Sequence, residues 1–110
     1  MCTYVTEKSA TTGSGKGAQG WFPVTSTTVY FDHPVHAQAD HTLNLDFVNP
    51  DRGAAARVAV ELTADSAVNL VEAIARVFTQ VSPDLTGVDE AGAKRLLEAA
   101  EALREVTATR

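Results

Sequence analysis

Apolar and polar residues alternate with a period of two along the first part of the chain and recur every three to four positions after about residue 63. Residues 41–48, HTLNLDFV, alternate most cleanly: Leu43, Leu45 and Phe47 fall on one face and Thr42, Asn44 and Asp46 on the other, the pattern of a half-buried strand. NPDRG follows as a turn, with Pro50 presetting its backbone angle and Gly53 able to take a positive φ. ARVAVEL, residues 56–62, is then expected to fold back antiparallel, with Val58, Val60 and Leu62 on the same core. Upstream, CTYVTEK, residues 2–8, is rich in β-branched and aromatic residues and predicts a first strand. WFPVTSTTVYFD, residues 21–32, predicts a second, most secure over 27–32 because Pro23 confines the beginning to a sheet edge or an extended lead-in. Between them SATTGSGKGAQG, residues 9–20, is Gly/Ser/Thr-rich and non-periodic, and reads as a mobile connection.

The period changes in TADSAVNLVEAIARVFTQV, where Ala67, Leu70, Val71, Ile74, Phe78 and Val81 form one stripe. A helix is predicted over about 64–81, with Thr63 as N-cap and Asp65 favourably charged in the first turn. SPDLTG stops it, and a second helix is expected over about 88–105, with Ala93, Leu96, Ala100 and Leu103 as a weaker stripe and Glu90 and Lys94 as a supporting pair. Four strands followed by two helices specify an α+β fold: a four-stranded antiparallel meander with two C-terminal helices packed on one face. The expected organisation is a single domain over 1–110, a β-β-β-β-α core over 1–81 and a helical extension over 82–110. Tyr4, Trp21, Tyr30 and Val48 lie outside the expected core and offer a self-complementary patch, so a homodimer or other homo-oligomer is expected.

Composition narrows the functions. At 110 residues and 45% hydrophobic, the chain has one core's worth of apolar residues. A net charge of -5 and the absence of any Lys/Arg cluster lack the electrostatic footprint of a nucleic-acid binder, so nucleic acid is not an expected partner. No run approaches the ~20 apolar residues of a membrane span, and the first residues do not read as a secretory signal; a cytoplasmic location and no membrane association are expected. Cys2 is the one cysteine and cannot form an internal disulfide, which agrees with a reducing compartment.

Two segments invite a chemical reading. TTGSGKGAQG resembles a phosphate-binding loop only superficially: that motif needs Gly six positions before its Lys and Ser or Thr just after it, and around Lys16 those positions are Ala10 and Gly17. DHPVHAQADH, residues 32–41, holds all three histidines, His33, His36 and His41. In a simple meander the second strand ends and the third begins at this segment, and the first strand starts at the same edge, which brings Cys2 toward His33 and His41. A thiolate and imidazoles are the donor set for a divalent transition metal, zinc, copper or iron. Cys2, His33, His36 and His41 are therefore candidate metal ligands, with Asp32 or Asp40 as a further ligand or as an acceptor fixing a histidine tautomer. The alternatives are a pH-responsive loop and ordinary surface histidines beside a small buried thiol.

The blocks MCTYVTEK, GSGKGAQGWFP, YFDHPVHA and HTLNLDFVNP resemble those of a family of small uncharacterised actinobacterial proteins, a domain of unknown function. The resemblance covers about residues 1–81, includes Cys2, Lys16, Trp21, His33, His36 and His41, and implies that the second helix is a variable extension. It implies no reaction. The reading that results is a small metal-binding protein, in one form a metalloenzyme acting on a small molecule. Its Cys/His site sits at one sheet edge, and the segment Gly13 to Gly20, with Lys16 and Trp21, closes over it as a lid. The rival is a non-catalytic small-ligand-binding or protein-interaction module with incidental histidines.

Overall fold

Val, Thr, Tyr and Phe fill residues 27–31, and such residues suit a pleated, half-buried surface. A computed structural model describes residues 5–108, with side chains through 105, and places this stretch in the second strand of one sheet. The sheet runs β1 (Val5–Gly17), β2 (Gly20–Asp32), β3 (Thr42–Val48) and β4 (Arg57–Leu62), each antiparallel to the next and adjacent to it. Three helices follow, α1 (Ala64–Gln80), the four-residue α2 (Pro83–Thr86) and α3 (Glu90–Ala108). The α+β meander with two long C-terminal helices is therefore the fold. The chain divides into two compact units, Met1–Val71 and Glu72–Arg110. No helix among the described residues is long and apolar enough to cross a membrane.

The glycine-rich stretch departs from expectation. It is no mobile connection: β1 stays paired with β2 down to Gly17 opposite Gly20, and only Ala18 and Gln19 turn the chain. Gly20 takes the positive φ of 105° that this tight turn requires. The reason lies in the spacing of the glycines. Gly13, Gly15 and Gly17 recur at the strand period, so one face of the strand carries no side chains. Over that bare face β1 meets β4, at the opposite edge of the sheet: a Cβ on Gly17 would lie 2.9 Å from the Ala55 carbonyl oxygen and 3.1 Å from the Phe22 ring. A register shift between Ala10 and Gly13 supplies the bend that carries the strand there.

The corner so closed holds the apolar core of the sheet: Phe22, Val24 and Ala56 are buried, with Phe47 and Val58 packed against them. Burial of each large side chain contributes about 1.5–3 kcal/mol. Asn49 fastens the neighbouring turn, donating from Nδ2 to the Pro23 carbonyl at 2.9 Å and accepting the Asp51 N–H at 3.1 Å.

At the other end of the sheet the burial is polar. Thr42 is 0% exposed and Asn44 4%, although the alternation of β3 assigned both to the solvent face. The Thr42 hydroxyl donates to Asn44 Oδ1 at 2.6 Å, which satisfies one polar group with another. On the same face Glu61, opposite Asn44, reaches the segment between β2 and β3.

The helices begin where their caps stand. Thr63 Oγ1 accepts the Ser66 N–H at 3.2 Å at the start of α1, as the sequence predicts. Ser82 caps α2 with Pro83 at its first position, and Gly87 ends it in the left-handed region. Asp89 Oδ1 then accepts the Gly92 N–H at 2.8 Å and opens α3. Within the second unit Phe78, Val81, Ala93 and Leu96 help line an open apolar groove of about 900 Å³.

Candidate functional site

The last ladder pair of β2 and β3 is Asp32 opposite Thr42, so the next residues in register are His33 and His41. Pro34 biases His33, the first residue after β2, toward extended backbone. The imidazoles accordingly lie side by side, centroids 4.4 Å apart with planes tilted by 33°. His41 also stacks on Phe31, one step back along β2, at 5.7 Å and 10°. Two of the four candidate ligands are thus brought together by strand register, with an aromatic wall behind one of them.

Both aspartates of the segment act on this pair. Asp32, buried at the end of β2, accepts the His33 backbone N–H on Oδ1 at 2.7 Å. Asp40 contributes its backbone carbonyl, 3.0 Å from His33 Nδ1. In the tautomer where Nδ1–H donates to that carbonyl, the Nε2 lone pair is left for a ligand or a proton.

The middle of the segment is held by a residue that sequence reasoning did not single out. Glu61 sits on β4 opposite Asn44, and so shares the face on which Thr42 and Asn44 are buried. Its carboxylate accepts three consecutive backbone amides: Val35 N–H on Oε2 at 2.6 Å, His36 N–H on Oε1 at 2.9 Å and Ala37 N–H on Oε1 at 2.8 Å. These bonds, Val35 first and then Ala37 and His36, hold its carboxyl below the usual glutamate range because they favour the charged form. The donors are main-chain groups, so no side-chain pattern announces them; the one available signal was the outward parity of Glu61 at the end of a strand that borders the loop.

On the same face, one pair along the ladder, Asp46 bonds Arg57 Nη2 at 2.8 Å and Nε at 3.0 Å. The Tyr30 phenol on this face is pushed above its ordinary pKa by burial first and by the Asp46 charge second.

The remaining expectations fall elsewhere. Lys16 and Trp21 pair with each other at the far end of the β1–β2 hairpin from the histidines, and Trp21 is 72% exposed. The Gly13 to Gly20 segment is built into paired strands and a tight turn there, so the expected lid over the histidines is corrected. Cys2 and Tyr4 lie outside the described residues. Among the described residues no group of three or more His, Cys, Asp or Glu is placed to hold a metal ion; the geometry supplies the His33 and His41 pair.

No curated protein and no solved structure matches the chain. A family match runs over residues 1–87, which hold the four strands and all three histidines and end at the glycine that closes α2. By that match the chain belongs to the family described as "Family of unknown function (DUF6295)".

Proposed function

We propose that the protein binds a divalent transition metal at the end of the sheet that carries residues 33–41, with His33, His41 and the Cys2 thiolate as ligands and His36 as a fourth donor on the same loop. The observation that carries this reading is the juxtaposed imidazole pair, with a backbone carbonyl at Nδ1 of His33 and hence a free Nε2 in that tautomer. Such an outer partner for a ligating histidine is the usual companion of a metal site. β1 begins at the same end of the sheet: Val5 lies opposite Phe31, two residues before His33, and Cys2 stands three positions before Val5 in the sequence.

Two imidazoles and a thiolate suit zinc; with His36 as the fourth donor the site is closed, and with His36 held back as a proton carrier one position is left for water or a small molecule, which the metal would polarise. The test is metal analysis of untagged protein purified with and without added Zn²⁺, together with the Co²⁺-substituted form, whose thiolate-to-metal absorption reports Cys2 directly. One Zn²⁺ per chain is expected, lost in His33→Ala and His41→Ala, with the thiolate band lost in Cys2→Ser. A wild type that takes up no metal overturns the reading and leaves the non-catalytic binding module in its place.

A further inference from the structure

We infer that Glu61 is the positioning residue of the histidine site: its carboxylate, reaching from β4 into the amides of Val35, His36 and Ala37, presets the loop that carries His33 and His41. The inference rests on the metal reading above and names what makes that site ready before an ion arrives. Among the described residues no backbone-to-backbone hydrogen bond joins residues 33–41 to one another, so the loop is not held by a turn of its own. His33 Nδ1 at the Asp40 carbonyl holds it near its ends and the Glu61 carboxylate at its middle. Three successive N–H groups aimed at one anionic group form a backbone nest, and the occupant here comes from a different strand twenty-four to twenty-six residues later. Without that occupant three donors lose their acceptor, and the loop gains freedom that metal binding must then remove. The cost appears as lost affinity, because ordering a loop on binding subtracts from the interaction gained.

The experiment uses the full chain as wild type, Glu61→Gln and Glu61→Ala, reading Zn²⁺ affinity by competition with a chromophoric chelator. Amide exchange at Val35, His36 and Ala37 is read in the metal-free protein. Glu61→Ala is expected to lower Zn²⁺ affinity about 10- to 100-fold, the range seen when an outer partner of a metal ligand is removed, and to speed exchange at those three amides. Glu61→Gln keeps the shape without the charge and is expected to fall between; it decides the matter if the alanine variant does not fold. Added formate, a free carboxylate, is expected to shift those amides in Glu61→Ala and restore part of the affinity, a rescue that a merely structural role would not give. Equal Zn²⁺ affinity in wild type and both variants overturns the positioning role alone. A wild type that binds no Zn²⁺ overturns the metal reading and the positioning role with it, and does so in the wild-type arm.

Discussion

Glu61 and Tyr30 show how much a single residue's neighbours decide at this end of the sheet. Glu61 is held below its usual range by amide donors, so its grip on the loop is complete above the ordinary glutamate range and weakens only as the pH falls through the lowered folded value. In metal-free protein, protection of the Val35, His36 and Ala37 amides should therefore persist into mild acid and disappear only below the normal carboxylate range. Loss of that protection at pH 5 to 6 would be inconsistent with the three bonds. Tyr30 moves the other way. Absorbance titration, with Tyr30→Phe subtracted, should place its ionisation above that of a free phenol. Asp46→Asn should bring it only part of the way down, because burial is the larger cause. Arg57, whose side chain is 52% exposed, should matter little to stability: Arg57→Ala is expected to cost about 0.2–1 kcal/mol in a denaturant titration, as exposed ion pairs do.

At the scale of elements, the periodic parts of the chain were legible and the unusual ones were not. β3, β4 and α1 run where alternation and helical spacing put them, because each has a side-chain pattern that only one local structure satisfies. Glycine carries no pattern. A strand with Gly13, Gly15 and Gly17 at alternate positions looks like a linker, although the bare Gly15 and Gly17 are what admit β4. Gly17→Ala tests this: the new methyl meets a backbone oxygen that cannot step aside, and a loss of about 1–3 kcal/mol is expected in urea unfolding. Ser14→Ala, one strand position out of phase, should be nearly neutral in the same measurement. The solvent assignment of Thr42 and Asn44 failed for a related reason: alternation tells two faces apart, but not which of them the rest of the chain takes out of water. The pairing of His33 with His41 was within reach, since it follows from the register of β2 with β3 once both strand ends are known. Glu61 was not.

For the whole molecule, the family match stops at residue 87, a few residues beyond the extent expected from the sequence blocks, so α3 is the part of this chain that the family does not describe. Everything argued for the histidine site lies inside the matched part. A metal held by the folded protein and not by the unfolded chain adds stability by mass action, about 2.7 kcal/mol at a hundredfold excess over Kd. A calorimetric melt should then rise in Tm with added Zn²⁺ and return to the metal-free value with a chelator, while His33→Ala should be insensitive to both. The sheet itself is anchored elsewhere, in the closed corner around Phe22 and Val24, on the order of 30 Å of strand from the histidines. That separation makes residues 34–40 a graft site. Foreign sequence placed between the two histidines would leave the corner that keeps the sheet together undisturbed, and would itself have to supply three amides that reach Glu61.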